Sequence, residues 1–527
     1  MTKYVVGPKI LKKEQVLISI FLIAILVISS GSMVAFASSS HTIVVKPSGD
    51  TTGAKDTVAI QAALNACTKG DPQCTVQLVK GTYTISSQIT VYGFQGSFIG
   101  AGQGQTNIIA LGNMPSPNPE YDIPCTGFPN CNPSSTGTSG GVSFWAGLPG
   151  PSNPWPDLFT FVGGLITISG MTITDTSPTP TQGWYLPVAS HGGSYQTALE
   201  GWIEITGVRA AATIDHLTII GGAGDAAGWN SLYAIEIAGW LLPSGWTDPV
   251  GDSIQLTGAF AVTDSIFTNV LTGPTAYDLV NSQVVFCGNT FTTPAGAAIG
   301  VQDISNTNVL MCRNQGSAGF LGNALFAEQS VWKSGLLPST VTIANNDFQV
   351  NTANGVFAAD LGQVNFGTAP TLNVVISGNT FQNSFSCVGA QYPCFDYSAI
   401  FSLSLKNVAI SGNTILAGGS PGIYVSGFHV SGETALYGGP GAVTGNTITG
   451  AYAGVWIDYA NGVQVSANAI KNSLQYGIAV TDGSSNNVIT ANFVHGSGAY
   501  DLYDDQTGTG NVWHWNFCQI SSPPGLC

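Results

Sequence analysis

Charged residues, and basic residues above all, are scarce in this chain of 527 residues. Only 8% of the residues are charged, and 13 Lys and Arg face 28 Asp and Glu, so the formal net charge is −15 at pH 7. A protein that binds nucleic acid needs a basic stripe to meet the phosphates, and this chain lacks one. The acidic balance also disfavours unaided binding of a polyanion. A disordered chain is excluded too, because such chains carry few aromatic residues, whereas 10% of this sequence is aromatic.

The first 37 residues have the pattern of an export signal. Four lysines precede an apolar run from Val16 to Val27, and Ala35-Phe36-Ala37 fits the small-x-small rule for cleavage. The alternative is an uncleaved membrane anchor, because the apolar character continues to Ala37, about the length that spans a bilayer. Both alternatives predict a protein that is secreted or held at the cell surface. Cleavage removes four Lys and one Glu, which leaves 9 basic and 27 acidic residues and a net charge of −18.

A short motif recurs along the second half of the chain. The segment from Asn373 to Phe381, Asn-Val-Val-Ile-Ser-Gly-Asn-Thr-Phe, returns nearly unchanged from Asn407 to Ile415. Alternating apolar residues predict a short strand, and the Gly-Asn corner leads into a second strand. The corner asparagines of all copies are Asn289, Asn314, Asn346, Asn379, Asn413, Asn446, Asn468, Asn492 and Asn516.

The spacing of these asparagines is typical of a solenoid. Successive corners lie 22 to 25 residues apart, or 32 to 34 where loops are inserted. No repeat of this size buries its own apolar face, so the repeats must stack. We therefore expect the asparagine side chains to form a structural ladder, hydrogen-bonded from coil to coil.

The cysteines predict a disulfide framework and no zinc site. All ten follow residue 37, and an even number in an exported chain favours five disulfides. Cys287 and Cys312 occupy the same place in neighbouring repeats, on coils ~4.8 Å apart, within reach of a disulfide. The predicted pairs are Cys67/Cys74, Cys125/Cys131, Cys287/Cys312, Cys387/Cys394 and Cys518/Cys527.

A predicted short helix and two glycine-containing motifs follow the signal. The helix begins Asp-Thr-Val-Ala-Ile-Gln-Ala-Ala-Leu at Asp56, and it is followed by Lys-Gly-Thr-Tyr, ending at Tyr83, and by Ile-Gly-Ala-Gly, beginning at Ile99. Together with the repeats, these motifs resemble the pectate-lyase-like superfamily over nearly the whole exported chain. The resemblance implies an all-β fold, a single-stranded right-handed parallel β-helix over residues 38–527, with about 12–14 coils and an N-terminal capping helix. It does not specify an activity, because the superfamily holds lyases, hydrolases, epimerases and non-enzymatic adhesins.

Four insertions interrupt the predicted solenoid. They are a Pro-rich stretch at residues 112–160 and loops at 176–199, 221–231 and 240–252. Long loops in a compact domain commonly carry function. We expect Trp184, Trp229 and Trp246, one in each of the last three insertions, to contact substrate.

The resemblance implies three strands in each coil, the third of which lines the binding groove. In this sequence that strand has its own pattern, a small residue followed by alternating apolar residues. If the flanking Ile, Val and Leu face the core, the residue between them faces outward. The predicted outward column is Glu204, Glu236, Asp278, Gly300, Phe326, Phe357, Phe401, Tyr424, Trp456, Ala479 and Asp501.

The three acidic residues that begin the column are the predicted catalytic residues. Neighbouring coils ~4.8 Å apart place adjacent carboxylates near the ~5–5.5 Å separation of a retaining glycosidase. Glu204 and Asp278, two coils apart at ~9.6 Å, would stand at the wide end of the inverting range. Repulsion between the carboxylates would raise one pKa and create an acid beside a base. The alternatives are a Ca²⁺ site and a plain solvated acidic face.

The five aromatic residues of the column predict a flat apolar ladder. Phe326, Phe357, Phe401, Tyr424 and Trp456 would stack on sugar rings and bind a neutral glycan. The alternative is a ladder that only stabilises its own sheet, as neighbouring aromatic side chains do.

The catalytic motifs of the superfamily's enzymes are not reproduced. Polygalacturonases carry Gly-His-Gly and Asp-Asp on groove strands; this chain has no Gly-His-Gly, and its one Asp-Asp, Asp504-Asp505, lies on the last coil. Pectate lyases use Ca²⁺ and a basic residue, and of the two arginines here only Arg209 follows an acidic groove strand. The aspartates that follow groove strands are predicted to close turns, with calcium binding as the alternative. They are Asp303, Asp360, Asp482 and Asp504.

We therefore predict a secreted protein that hydrolyses an extracellular polysaccharide with Glu204, Glu236 and Asp278. The alternatives are a non-catalytic cell-surface glycan-binding protein and a calcium-dependent lyase with Arg209 as base. No cofactor is required for hydrolysis, although Ca²⁺ is an option. We expect no nucleic-acid partner, and a membrane contact only if the N-terminal segment is uncleaved; the oligomeric state is open.

Overall fold

The computed structural model of the protein describes residues 41–67, 74–111, 157–176, 201–221, 233–239, 256–270, 272–292, 297–318, 323–329, 336–350, 354–361, 371–383, 397–428 and 437–527. Strands dominate these ranges, and they join one continuous parallel sheet. The sheet folds into three faces, which we call sheet A, sheet B and sheet C in the order in which each coil passes through them.

Sheet A carries the predicted groove strand. Its strands are β8 (Tyr233–Ala238), β11 (Thr272–Tyr277), β14 (Ile299–Gln302), β17 (Leu325–Gln329), β20 (Val356–Asp360), β23 (Ile400–Leu403), β26 (Ile423–Ser426), β29 (Ala453–Asp458), β32 (Tyr476–Thr481), β35 (Tyr500–Asp504) and β37 (Ser521–Ser522).

Sheet B precedes the asparagine corner. Its strands are β1 (Thr42–Val45), β2 (Cys74–Leu78), β9 (Ala259–Thr263), β12 (Gln283–Cys287), β15 (Asn308–Cys312), β18 (Ser339–Ala344), β21 (Leu372–Ser377), β24 (Asn407–Ser411), β27 (Gly441–Thr444), β30 (Val463–Ser466), β33 (Val488–Thr490) and β36 (Val512–His514).

Sheet C follows the corner. Its strands are β3 (Gly81–Ile85), β5 (Thr106–Ala110), β10 (Ile266–Thr268), β13 (Thr290–Thr292), β16 (Gln315–Ala318), β19 (Asp347–Val350), β22 (Thr380–Asn383), β25 (Thr414–Leu416), β28 (Thr447–Thr449), β31 (Ala469–Lys471) and β34 (Phe493–His495). Three strands near the N-terminus bend from one sheet into the next, namely β4 (Ile89–Ile99), β6 (Phe159–Asp175) and β7 (Gly201–Ile220).

Each strand pairs with the equivalent strand of the next coil, and the apolar periodicity sets this register. In sheet B, Val374 lies opposite Val408 and Ile376 opposite Ile410, and all four side chains are buried. Inward-facing apolar residues occur at every second position of each strand, so they stack on the inward-facing apolar residues of the next strand. A register slip of one residue would turn these side chains towards solvent. From β4 to β35, the described strands of sheet A follow one another through thirteen coils, within the predicted range.

The predicted capping helix is present as α1 (Ala54–Ala66), which packs against β3 and β4 of the first coils. Its apolar side, including Ile60 and Leu64, joins the core of the solenoid. In its first turn, the buried Asp56 carboxylate accepts hydrogen bonds from the backbone N–H groups of Ser48 at 2.8 Å and Thr84 at 2.9 Å. These bonds tie the helix to sheet C and satisfy a carboxylate that would be costly to bury alone.

The corner asparagines form the predicted ladder. From Asn289 to Asn516, each buried Nδ2 donates to the Oδ1 of the next corner asparagine at 2.9–3.1 Å. The same Nδ2 groups also donate to backbone carbonyls of the coil before, as Asn413 does to Ile376 at 3.1 Å. The ladder satisfies polar groups at a buried corner that has no access to water.

Three of the five predicted disulfides lie in the described residues, and all three are confirmed. They are Cys67–Cys74, Cys287–Cys312 and Cys518–Cys527. Cys287 and Cys312 are register partners on adjacent strands, with Cα atoms 4.5 Å apart. The predicted pairs Cys125/Cys131 and Cys387/Cys394 lie outside the described residues.

Most of the predicted insertions and the N-terminal segment also lie outside the described residues. The insertion predicted at 112–160 ends earlier than expected, because β6 already begins at Phe159. Of the insertions at 176–199 and 221–231, only the first residue of each is described, and the insertion at 240–252 is not described. Among the residues that are described, no helix is both long and apolar enough to cross a bilayer.

Candidate functional site on sheet A

The outer face of sheet A carries two parallel columns of side chains. The first contains the predicted outward positions, and the second contains the residues two places further along each strand, which point the same way. By strand pairing, the first column is Glu204, Glu236, Thr275, Gly300, Phe326, Phe357, Phe401, Tyr424, Trp456, Ala479 and Tyr503. The described strands of this sheet contain no Lys, Arg or His.

The acidic start of the column is shorter than predicted. Glu204 and Glu236 lie opposite each other, as predicted. The next coil, however, places Thr275 opposite Glu236, and the alignment that put Asp278 there is wrong by three residues. In this coil Pro274, Thr275 and Ala276 pair with Ile235, Glu236 and Ile237. The strand therefore begins earlier than the sequence pattern suggests.

Asp278 instead lies at the end of its strand, in a turn. Its backbone has a left-handed conformation, with φ 55, and its N–H donates to the Gln302 carbonyl at 3.2 Å. This position is equivalent to that of Asp303, which also has a positive φ of 53. The structure therefore separates Asp278 from the glutamate pair.

The last acidic position of the column is also out of register. Tyr503, and not Asp501, lies opposite Ala479. The buried Asp501 carboxylate accepts hydrogen bonds from the backbone N–H groups of Ser497 at 3.1 Å and Gln519 at 2.8 Å. Asp501 thus holds the C-terminal tail in place.

Glu204 and Glu236 are nearly covered, at 4% and 5% exposure. They are flanked along their strands by fully buried core residues, among them Ile205 and Ile237. Their positions on adjacent strands bring two acidic side chains to one point of the sheet, the arrangement that an acid–base pair needs. The predicted substrate contacts Trp184, Trp229 and Trp246 lie outside the described residues.

The aromatic part of the column is continuous, as predicted. Ring centroids from Phe326 through Phe357, Phe401 and Tyr424 to Trp456 are 5.7, 5.3, 5.0 and 5.9 Å apart in turn. Phe326, Phe357 and Trp456 are half-buried, whereas Phe401 and Tyr424 are buried. The ladder therefore stabilises its own sheet and also presents ring surface to solvent.

Tyrosines continue the ladder beyond the predicted residues. Where Ala479 interrupts the column, Tyr476 fills the gap, with its ring 6.4 Å from that of Trp456 and 4.7 Å from that of Tyr503. Tyr452 also stacks with Trp456, with ring centroids 6.1 Å apart. These tyrosines lie at or near the starts of their strands, three or four residues before the column position. The sequence pattern used to predict the column covers only the centre of each strand and therefore does not include them.

Glu328 is a titratable group of this face that sequence reasoning did not select. It follows Phe326 by two residues in β17 and therefore stands in the second column, opposite Gln302. Burial, and next the charge of Asp303, raise the pKa of Glu328 to about 7. The carboxyl is therefore partly protonated near neutral pH.

A hydrogen-bonded cluster lies beside the end of the predicted column. The Tyr424 hydroxyl donates to Asp458 Oδ2 at 2.5 Å, and the Thr481 hydroxyl donates to Asp458 Oδ1 at 3.1 Å. Thr481 in turn accepts a hydrogen bond from Trp456 Nε1 at 2.9 Å, which fixes the indole. Burial, together with a hydrogen bond to the exposed Asp482, raises the pKa of Asp458 to about 6, and the bond from Tyr424 opposes this shift.

The strand-end aspartates act partly as predicted. Asp360 Oδ2 accepts hydrogen bonds from the backbone N–H groups of Thr371 at 2.8 Å and Leu372 at 3.1 Å, so it ties the end of β20 to the start of β21. Asp504 does not share this position, because it lies opposite Val480 and accepts hydrogen bonds from Gln506 and from Trp513 Nε1. Within the ranges that the structure describes, no three His, Cys, Asp or Glu side chains converge so as to hold a metal ion.

Arg209, the base of the predicted lyase alternative, lies beyond the end of the groove strand. The backbone turns at Gly207, which has φ 99, and Arg209 then begins the sheet B part of β7 opposite Thr257. Its side chain is exposed. Arg209 therefore belongs to the next face and not to the outer face of sheet A.

Comparison with known proteins supports the fold. Residues 330–508 match a family model described as a right handed beta helix region. The N-terminal fragment of bacteriophage Phi29 gene product 12 is similar in structure, with a TM-score of 0.51 and 15% identity over 85% of this chain and 67% of that one. No curated protein matches the sequence.

Two carbohydrate-active proteins align less closely. The A-module of the Azotobacter vinelandii mannuronan C-5 epimerase AlgE6 has a TM-score of 0.41, with 15% identity over 89% of this chain and 95% of that one. The catalytic domain of a GH87 alpha-1,3-glucanase, solved with tetrasaccharides, has a TM-score of 0.41, with 13% identity over 91% and 70%. At such identities the likeness concerns the fold alone. The chain is an all-β, right-handed parallel β-helix, as its sequence predicts.

Proposed function

We propose that this protein is exported, binds an extracellular polysaccharide along the outer face of sheet A and hydrolyses it at Glu204 and Glu236. The observation that carries the proposal is the unbroken aromatic column from Phe326 to Trp456, with ring centroids 5.0–5.9 Å apart. The three disulfides support export, since such bonds persist in oxidising compartments.

The aromatic column suits a long, neutral, ring-bearing polymer. Flat rings present apolar faces and edges at low conformational cost, and a sugar ring offers apolar C–H surface to match them. The column extends over many coils in one direction, as a polysaccharide does. The chain's net charge of −15 and the absence of basic residues on the described strands of this face disfavour polyuronates.

The glutamate pair supports hydrolysis. Glu204 and Glu236 are register partners on strands ~4.8 Å apart, close to the ~5–5.5 Å carboxyl separation of retaining glycosidases. In such a mechanism one carboxyl group protonates the leaving oxygen while the other attacks the anomeric carbon, and water then releases the sugar. This step requires neither a metal ion nor a cofactor.

Binding to the column is tested with a polysaccharide panel and two tryptophan variants. We expect neutral glycans to bind and Trp456→Ala to weaken binding about tenfold, or about 1.4 kcal/mol, since truncation of a tryptophan at the centre of a binding surface commonly costs at least that much. Trp515→Ala is the matched control, because Trp515 is 84% exposed at a corner away from sheet A. If no glycan binds, or if Trp456→Ala binds as the wild type does, the proposal fails.

Hydrolysis is tested by product analysis with and without calcium. We expect reducing ends in both conditions, and a loss of more than about tenfold in activity for Glu236→Gln with binding retained. Asp278→Asn, which changes an acid outside the column, should keep most of the activity. Unsaturated ends absorbing in the near ultraviolet, formed only with calcium, would instead identify a lyase.

The second candidate is a non-catalytic glycan-binding protein of the cell surface. Two observations favour it: the structure removes Asp278 from the acidic group, and it leaves the remaining glutamates more than nine-tenths buried. Binding that depends on Trp456, without reducing or unsaturated products from any glycan, would establish this function.

A further inference from the structure

The C-terminal end of the aromatic column combines ring surface with negative charge. Trp456, Tyr476 and Tyr503 supply the rings, all of them half-buried. One edge of the ladder is lined by acidic side chains from three successive coils. They are Asp458, Asp482 and Asp505.

Strand pairing places Asp458 beside Trp456, and Asp505 follows Tyr503 by two residues. Asp458 stands two residues after Trp456 on the same face, opposite Thr481 of the next coil. Asp482 follows Thr481, and its backbone N–H donates to Asp505 Oδ2 at 2.8 Å. The three carboxyl groups therefore lie within one or two coils of one another.

Among the residues that the structure describes, no Lys, Arg or His forms an ion pair with these acids. Asp458 hydrogen-bonds to Tyr424 and Thr481 and to the carboxyl group of Asp482, whose charge also raises its pKa. Lys406, which follows β23, donates to the Tyr437 carbonyl. Crowded carboxylates of this kind gain stability when a cation binds beside them.

The chemistry favours an organic ammonium group over a metal ion. Among the residues described, no three acidic side chains converge as metal ligands. An ammonium group needs no such cage: the face of Trp or Tyr attracts it within ~6 Å of the ring centroid, and a neighbouring carboxylate accepts its hydrogen bonds. Rings and carboxylates occur here side by side.

We propose that the end of the column formed by Trp456, Tyr476 and Tyr503, with Asp482 and Asp505 at its edge, is a subsite for a sugar unit that carries a protonated amine. The inference rests on the proposed function, and it assigns to one subsite of the column a preference for an unacetylated amino sugar over a neutral sugar unit. The rings stack on the sugar, and the carboxylates accept the ammonium hydrogens. Asp482 and Asp505 are thus specificity-determining residues.

The test compares two oligosaccharides that differ only in their amines. A glucosamine hexamer and the N-acetylglucosamine hexamer are titrated calorimetrically against the full chain at pH 6, below the ordinary pKa of an amine. We expect the amine form to bind about fivefold to tenfold more tightly, with the difference shrinking in high salt. In Asp482→Asn and Asp505→Asn the difference should fall to about twofold or less.

A matched variant and a non-sugar cation distinguish binding at the subsite from general electrostatic attraction to an acidic protein. Asp347→Asn removes an exposed carboxylate from sheet C and should leave the preference unchanged. A lysine hexapeptide should bind much more weakly than the glucosamine hexamer, because it lacks rings that stack on Trp456.

The outcomes are distinguishable from those of the proposed function. Equal binding of the two hexamers, with loss of both in Trp456→Ala, overturns the amine inference and keeps glycan binding on the column. A preference that Asp482→Asn and Asp505→Asn leave intact, or equal binding of the lysine peptide, also overturns it. If neither hexamer nor any neutral glycan binds, both proposals fail.

Discussion

The phenolic oxygen of Tyr424 lies 2.5 Å from Asp458 Oδ2, across the boundary between two coils. The two residues are 34 positions apart in the sequence. Both are more than nine-tenths buried, yet they stand on the outer face of sheet A beside the half-buried Trp456. A buried phenol thus stabilises the ionised form of a carboxyl group whose pKa burial raises.

Replacement of Tyr424 by Phe should raise the pKa of Asp458 further above about 6, because the hydrogen bond that favours the carboxylate is removed. Carboxyl-carbon NMR across a pH titration measures this directly. Tyr500→Phe is the control, since Tyr500 stacks on Tyr503 in the same sheet. A pKa of Asp458 that falls or stays unchanged in Tyr424→Phe would show that the bond does not act on the carboxylate.

Glu328 should make stability depend on pH between about 4.5 and 7. Its pKa is raised from 4.5 to about 7 in the folded chain, so in this window the unfolded chain has released a proton that the folded chain retains. The stabilisation is complete below the unfolded pKa and is lost as pH rises through the folded pKa. By linkage, the loss amounts to roughly 3 kcal/mol at most.

Denaturant unfolding at pH 4.5 and pH 8 measures this loss. Glu328→Gln should remove the larger part of the difference between the two pH values and leave the smaller part that arises from Asp458, whose pKa is raised to about 6. Its stability at pH 8 should exceed that of the wild type. Asp347→Asn, at an exposed site on sheet C, should retain the wild-type dependence. A Glu328→Gln variant that is still less stable at pH 8 by the wild-type amount contradicts the assignment.

Removal of one rung of the asparagine ladder should be strongly destabilising. Asn413 accepts from the backbone N–H and Nδ2 of Asn379 and donates to Asn446 Oδ1 and the Ile376 carbonyl. Asn413→Ala removes the side-chain partner of the buried Asn379 N–H and Ile376 carbonyl, whereas Asn379 Nδ2 still donates to Ile343 and Asn446 Oδ1 still accepts from the backbone N–H of residue 413. At about 1–3 kcal/mol for each lost partner, we expect a loss of roughly 2–4 kcal/mol.

The matched control for the ladder is Asn407→Ala on the exposed face of sheet B. Asn407 Nδ2 also bonds an asparagine of the neighbouring coil, Asn373, at 2.9 Å, but in contact with water. Its loss should cost no more than about 0.5 kcal/mol. Denaturant unfolding measures the loss of unfolding free energy in both variants. Equal losses would refute the inference that burial is the reason why the ladder stabilises the fold.

The disulfide pairs are open to direct mapping. Peptides linked through Cys67–Cys74, Cys287–Cys312 and Cys518–Cys527 should appear in a digest of the unreduced protein and vanish on reduction. Mass spectrometry also tests the two predicted pairs outside the described residues, Cys125/Cys131 and Cys387/Cys394. A Cys287 linked to any cysteine other than Cys312 would contradict the register of β12 and β15.

The repeating parts of this protein could be predicted from its amino-acid sequence. The corner asparagines, the alternating strands and the Cys287–Cys312 pair all follow from one period, because stacked coils bring equivalent positions of successive repeats into contact. The aromatic column from Phe326 to Trp456 follows for the same reason. In that stretch the strand pattern is unambiguous, and pairing confirms every step.

The positions at which that period is broken could not be predicted from the sequence and emerge from the folded structure. After a loop, the chain can rejoin the sheet at more than one residue. The segment Ala276-Tyr277-Asp278 fits the sequence pattern of a groove strand, but Pro274, Thr275 and Ala276 are the residues that pair with Ile235, Glu236 and Ile237. The raised pKa values of Glu328 and Asp458 likewise arise from burial and from acids on neighbouring coils. Such pKa shifts depend on the side chains that surround the carboxyl group in the folded protein, and the sequence pattern of one strand does not identify those neighbours.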